Sequence, residues 1–452
     1  MATSTNDPVA EQAVRYLVDT HSPGGTRIGW LMIASIFIEA WDLYAISFVL
    51  IYISGVFHPS ALMLGLAAAA TQGGAVVGAL IGGWLSDRIG RRAVFIGTMV
   101  LFVIVALAQS FAQNMETLVV LRLILGLPLG SDISNGYTYI MESMQHGKRE
   151  VMGNRWQFMF AVGEVVSVAV VAVLVASGMA PDIIWRVALG LGAVPALAIL
   201  ILRAELPETA IWLIQRGRYR EAKRVTKEMY GDPLDMLPDQ DVERPRVKLA
   251  DFFAHLRENP TRWRATLFGW IACFAQSGEF STFAFYIPVL FTLLGVTGHL
   301  GIALITLCLY VFAAISGFVG PQITPIIGQR ALSIAGFGIV FVSLIVAAIA
   351  IYTDHLIVLP FAAAAMLWGH YWDAENVMTI PSMVAKPQYR GTASGIAYVF
   401  VKLPAFLAIF LFPAFFGAIG KGNATLFTAL FPLVGLLAAI FILPEVYGYR
   451  ED

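Results

Sequence analysis

The sequence predicts an all-α polytopic membrane protein of 12 transmembrane helices, arranged as two pseudo-symmetric six-helix bundles. Three observations predict it. The chain of 452 residues is 58% hydrophobic and only 13% charged, with a mean hydropathy of +0.75. A soluble chain of that length needs far more charge to cover its surface. The apolar residues come in continuous runs rather than alternating, so the spans are helices of roughly 20 residues each. The second half of the chain repeats landmarks of the first.

A polar tail, 1–27, opens the chain, and no cleavable signal is expected ahead of the ordinary long span that follows it. Apolar runs near 28–56, 61–86, 93–113, 117–144, 156–178 and 184–204 form the first bundle, 28–204. A charged linker, 205–262, reads as amphipathic helices lying on the membrane or the bundle. Runs near 264–295, 299–321, 331–352, 356–384, 392–415 and 424–443 form the second bundle, 263–443, before a short tail, 444–452.

Of the 29 Lys and Arg, all but four fall in loops on one side: Arg186 and Lys421 lie on the other, and Arg122 and Lys402 within spans. That bias places both termini in the cytoplasm. Cys273 and Cys308 both sit in apolar runs, so neither a disulfide nor a metal site is expected. There is no nucleophile–base set, metal-ligand spacing or phosphate loop, so an enzyme, a cofactor and a nucleic-acid partner are not expected.

The stretch Gly82-Gly83-Trp84-Leu85-Ser86-Asp87-Arg88-Ile89-Gly90-Arg91-Arg92 joins the second and third runs. Gly74, Gly78 and Gly82 make a small-residue stripe before it, suited to close helix packing. The stretch resembles the signature loop of the major facilitator superfamily, G-x-x-x-D-R-x-G-R-R/K, through Gly83, Asp87, Arg88, Gly90, Arg91 and Arg92. Its second-half copy, 321–330, keeps Gly328 and Arg330 and has Pro325 in place of Asp87. Pro207-Glu208 repeats as Pro444-Glu445, Arg149 as Arg390, and Asp132 as Asp373. Such a repeat implies two bundles related by an axis along the membrane normal, with substrate bound between them. Asp87 and Arg91 are expected to latch the outward-open state, with Glu142, Arg149, Glu208, Arg330, Arg390 and Glu445 completing a cytoplasmic network.

Ionisable groups inside spans mark function, because the hydrocarbon penalises them unless they are paired or face a cavity. Glu39 and Asp42 lie one turn apart on the first span, and two close carboxylates repel until one holds a proton. Arg122 and Asp132 lie roughly three turns apart on the fourth span, around Gly126, Pro128 and Gly130. Arg122 is placed to clamp Asp42 or Glu39. These four are the proton-coupling candidates. Lys402, the buried cation of the second half, pairs with an acid such as Asp373 or Glu375, or binds an anionic substrate.

The run Arg122–Asp132, the Glu39-x-x-Asp42 pair, Gln157, and Thr392-Ala393-Ser394-Gly395 with Lys402 resemble proton-coupled phosphate and metabolite symporters and organic-anion carriers. Tyr139–Glu142 with Lys148-Arg149, the segment Pro207–Leu213 and Leu443-Pro444-Glu445 resemble sugar porters. The seventh span, with Gln276, Ser277, Gly278, Glu279 and Phe280, matches neither the phosphate nor the hexose pattern. The expected substrate contacts are Lys402, Gln157, Gln276, Trp41, Tyr44, Trp156, Glu279, Phe280, Tyr371 and Asp373. The resulting expectation is a monomeric symporter in the cytoplasmic membrane that moves protons with a small polar metabolite. An organic carboxylate is the leading substrate, and a sugar, phosphate or proton-driven export are the alternatives.

Overall fold

The computed structural model describes residues 8–242, 249–283 and 299–449. The end of the seventh run, 284–295, lies outside them. Helix α1 (Pro8–Asp19) precedes the first bundle, which contains α2 (Gly25–Phe57), α3 (Ala61–Ile89), α4 (Arg91–Gln109), α5 (Met115–Ser143), α6 (Lys148–Asn154) with α7 (Trp156–Ala176), and α8 (Pro181–Gly190) with α9 (Ala193–Ala204). The linker forms α10 (Ala210–Gln215), α11 (Tyr219–Tyr230) and α12 (Leu249–Glu258). The second bundle contains α13 (Pro260–Phe283), α14 (His299–Ile327), α15 (Gln329–Tyr352), α16 (Leu359–Asp373) with α17 (Glu375–Val384), α18 (Arg390–Ile419) and α19 (Lys421–Phe441).

Among the described residues there is no strand, and 10 helical stretches are long and apolar enough to cross a membrane. The other two spans are the polar ones. α13 carries Gln276 and Glu279, and the tenth span breaks at Ala374 between Asp373 and Glu375.

The expected polar tail departs from expectation. Ala10, Ala13, Val14 and Leu17 recur at helical spacing, and α1 buries them against Ile211, Leu213, Ala222 and Val225 of α10 and α11.

Glycine lets α3 approach two neighbours at once. A Cβ on Gly74 or Gly78 would run into the Leu123 or Leu127 carbonyl of α5. One on Gly126 or Gly130 would run into the Thr71 or Ala75 carbonyl of α3. Backbones this close pack by dispersion, which lipid tails cannot supply between large side chains. On another face of α3, Gly83 meets Gly391 and Gly395 of α18, so the two bundles touch backbone to backbone there.

The repeat is visible in hydrogen bonds. Gly90 and Gly328 both turn with positive φ, +104° and +86°, a region glycine occupies without steric cost. Each turn opens a helix whose first N–H groups are capped by a distant glutamate. Glu208 accepts from Arg91 N (3.0 Å) and Arg92 N (3.2 Å), and Glu445 accepts from Gln329 N (3.0 Å) and Arg330 N (3.1 Å). Arg92 donates to Ala204 O and Arg330 to Ile440 O, while Asn135 donates to Arg91 O and Asn376 to Gln329 O.

Gly78→Ala is expected to lower the thermal midpoint of the purified protein, at a cost of about 1–3 kcal/mol for overpacking against a backbone that cannot yield. Gly97→Ala, where an added Cβ meets nothing within 4 Å, serves as the control. Equal midpoints for the two variants would contradict the α3–α5 contact.

Candidate functional site

α2 is apolar almost throughout, so the two acids on it must be neutralised by neighbouring helices. They share a face but take separate partners. Arg122 donates from Nη1 and Nη2 to the two oxygens of Asp42, 3.1 Å each, and from Nε to Ala67 O at 2.7 Å. Glu39 is bound by the Lys402 ammonium and the Tyr398 hydroxyl, both from α18 in the other bundle. Lys402 Nζ also donates to Gln72 Oε1 (2.8 Å) and lies 4.9 Å from the Tyr398 ring centre. All of these side chains are buried.

Two expectations change. Glu39 and Asp42 do not oppose each other as a carboxylate pair, because each has its own cation. Lys402 meets neither Asp373 nor Glu375, because α18 packs along α3, which leaves Lys402 facing α2, whereas α16 packs on α14 and α15.

Asp132 also has a cation that the sequence placed elsewhere. Arg203, counted as a loop charge, is fully buried and donates to both Asp132 oxygens at 2.9 Å. Its other donors reach Leu31 O, Met32 O and Ser35 Oγ, and Thr98 Oγ1 adds a 3.2 Å bond to Asp132. Asp132, expected among the proton-coupling residues, thus sits in a clamp joining α2, α4, α5 and α9. A guanidinium with every nitrogen occupied in this way holds its carboxylate in place.

The second bundle has Asp373 at the repeat position of Asp132 but, counted from the Pro207 and Pro444 landmarks, Ile440 at that of Arg203. Asp373 instead faces His370 and Glu279. His370 Nδ1 lies 3.1 Å from Glu279 Oε1 and 3.7 Å from Asp373 Oδ1. Phe280 stacks on His370 (4.3 Å between ring centres, 17°) and meets Phe160 of α7 edge-on at 5.9 Å. Tyr371 reaches across the bundles and donates to Glu164 Oε2 at 2.5 Å, and Tyr44 packs on Tyr310 at 5.0 Å.

The remaining expected contacts divide between packing and closure. Trp41 donates to Ala188 O (3.2 Å) inside the first bundle, so it packs α2 on α8 rather than facing the other bundle. Trp156 donates to Ala374 O (3.1 Å) and Glu375 O (3.2 Å), stapling α7 to the break in the tenth span. Gln276 donates to Cys273 O of its own helix, and Gln157 is buried next to Trp156.

The signature stretch forms a second cluster at one end of the bundles. Arg91 donates to Glu142 (2.7 and 3.2 Å) and Ser86 O and pairs with Asp87 at 3.0 Å. Asp87 Oδ2 then accepts from both N and Oγ1 of Thr392, 2.9 Å each, which ties the first bundle to the N-terminus of α18. Thr209 Oγ1 donates to Glu142. Burial pushes the Glu208 carboxyl above the ordinary carboxylate range, against the pull of the Thr209 N–H and of Arg91 and Arg92. Arg149 and Arg390 both donate to Met141 O at the C-terminal end of α5, where cations are favoured. Three members lie apart: Arg330 and Glu445 bond within the second bundle, and Arg88 stacks on the exposed Trp84 ring at 3.8 Å.

Sequence reasoning missed Gln72, Tyr398, Thr98, Thr209 and Arg203. Polar uncharged residues in spans carry little signal, and an arginine at the end of an apolar run reads as a loop charge.

The family model described as sugar (and other) transporter matches residues 24–450. An inner membrane metabolite transport protein of Escherichia coli, YgcS, is 24% identical over 93% of this chain and 91% of its own. The glucose transporter GlcP of Staphylococcus epidermidis is 27% identical over 83% of this chain and 84% of its own. A structure of the proton:xylose symporter XylE, of the major facilitator superfamily, bound to 6-bromo-6-deoxy-D-glucose superposes with a TM-score of 0.77 at 21% identity, covering 94% of this chain and 97% of that one.

Arg203→Ala should abolish accumulation of folded protein, because removing one partner of a buried pair costs about 3–5 kcal/mol. Arg88→Gln, at an exposed cation, should leave expression and melting unchanged. The test is size-exclusion profile and thermal midpoint, and a monodisperse, wild-type-like Arg203→Ala would refute the clamp.

Proposed function

The chain belongs to the sugar (and other) transporter family and is a multi-pass membrane transporter, not an enzyme; from that premise we propose that it is a proton-coupled symporter for a small organic carboxylate. The observation that carries this reading is the ion pair between Glu39 and Lys402, which bridges the two bundles. A proton on Glu39 removes the counter-ion of Lys402. The freed ammonium then takes the carboxylate of the substrate, while Gln72 and Tyr398 remain as polar contacts. The net charge of the site is the same with Glu39 ionised and empty as with Glu39 protonated and substrate bound. Burial of charge therefore does not block either form as the bundles rock about the site. Asp42, held by both Arg122 Nη atoms, fixes α2 against α5.

A second reading keeps the coupling and changes the substrate to an uncharged sugar. Lys402 is already neutralised by Glu39, and Glu164 on α7 with Glu279, Asp373 and Glu375 in the second bundle offer an anion no further cation. The family description and the names of relatives such as GlcP support it.

In this proposal both termini and the signature stretch face the cytoplasm, the transporter acts as a monomer, and the Asp87–Thr392 contacts close the cytoplasmic end. Asp87→Asn keeps the shape of the side chain but loses its ion pair with Arg91. It should raise labelling of a cysteine introduced at Ser394 from the cytoplasmic side, and unchanged labelling would reduce the stretch to an anchor.

Thermal-shift screens against monocarboxylates, glucose, xylose and arabinose separate the two substrates, and proteoliposome uptake with an imposed pH gradient tests the coupling. Lys402→Ala should abolish carboxylate binding, and Glu39→Gln should make uptake insensitive to the gradient. Carboxylate binding that survives Lys402→Ala removes the anion site. Stabilisation by a sugar alone establishes the second reading.

A further inference from the structure

We propose that Glu279, His370 and Asp373 form a second proton-binding site, carried wholly by the C-terminal bundle. The inference rests on the reading that the chain couples to protons. It differs from that reading in location and in chemistry, since this site holds its proton without lysine or arginine.

One ring nitrogen of His370 and one carboxyl oxygen each of Glu279 and Asp373 lie within 4.8 Å of one another, and all three side chains are buried. Both Asp373 oxygens and Glu279 Oε2 have no hydrogen-bond donor among the described residues. Ionised oxygens in that position would forfeit their hydration with nothing in return, which a carboxyl avoids by taking up a proton. Glu375, one residue beyond Ala374, likewise has no donor on either oxygen among the described residues, whereas three acids of the first bundle give the contrast. Asp42 has Arg122, Asp132 has Arg203 and Glu39 has Lys402, all within hydrogen-bond reach.

The surroundings sharpen the case. Asp373 ends α16, where the helix presents partial negative charge and disfavours an anion. The titratable groups nearby on packed elements are Glu375 on α17, Glu164 on α7, Tyr310 on α14, Tyr44 on α2, and Tyr371 beside His370 itself. None is a cation.

A proton shared by Glu279 and Asp373 leaves one negative charge for His370 to face, and its loss leaves two. The change is set behind Phe280, which stacks on His370 and touches Phe160 of the other bundle, and beside Tyr371, which bonds Glu164 across the interface. Filling and emptying this site therefore alters charge at the surface along which the bundles move.

The test is a pH titration of the purified full chain in lipid, followed by infrared difference spectroscopy. The wild type should show a protonated-carboxyl band that vanishes as pH rises. Asp373→Asn and Glu279→Gln should each remove or displace that band, Glu164→Gln should retain it, and His370→Gln should move its midpoint by about one pH unit or more. Both acid variants are near-isosteric, and if one fails to fold the other together with His370→Gln decides the matter.

A band unchanged in both acid variants overturns the proposal. So does calorimetric binding of Mn²⁺ that Asp373→Asn abolishes, which would make the cluster a metal site. The two readings can fail separately. A gradient-insensitive wild type with a titrating Asp373 band overturns the coupling and leaves this site standing. Gradient-driven uptake lost in Glu39→Gln, with no such band, does the reverse.

Discussion

Everything in this structure depends on how charge is neutralised inside an apolar bundle. An ion in hydrocarbon must find its opposite within a few ångströms or give up its charge, and the chain uses each solution in a different place. Arg122 and Asp42 bind within the first bundle, as do Arg203 and Asp132. Lys402 and Glu39 bind between bundles. The first two contacts hold helices in place. The third joins the two bundles, and it is the pair on which the proposed coupling rests.

The glycines make that contact possible. Because Gly74 and Gly78 let α3 seat against α5, the remaining face of α3 is left to meet α18 at Gly83. That approach puts the Thr392 N–H within reach of Asp87 and, further along the same two helices, puts Lys402 within reach of Gln72 and Glu39. A bulkier residue at Gly83 would push α18 away and lengthen all of these bonds together. The signature stretch and the central ion pair are thus two readouts of one helix–helix contact.

Symmetry and its breaking divide the labour. Glu208 and Glu445 perform the same capping on the same kind of turn, and Asn135 and Asn376 the same bond behind it. These are structural duties, and they are duplicated. Where the copies differ, the difference lies in charge: Pro325 stands opposite Asp87, and Ile440 opposite Arg203. The second bundle thereby lacks both the acid that reaches across at one end and the arginine that would satisfy Asp373.

The sequence by itself determined the fold class, the repeat, the polar spans and which residues carry charge in the membrane, since hydropathy, glycine spacing and the doubled Pro-Glu and Gly-x-Arg landmarks are local or periodic signals. It also placed Arg122 against Asp42 or Glu39, of which the structure takes Asp42. Only the tertiary structure decided the other partners. Lys402 faces Glu39 rather than Asp373 because α18 lies on α3, and Arg203 turns inward because Asp132 and the carbonyls of α2 line its path. Trp41 and Trp156 look alike in a list of aromatics, yet one packs α8 and the other staples two bundles, because helix rotation decides which face a side chain occupies. Pairing across a bundle is a long-range property, and no window of sequence contains both members.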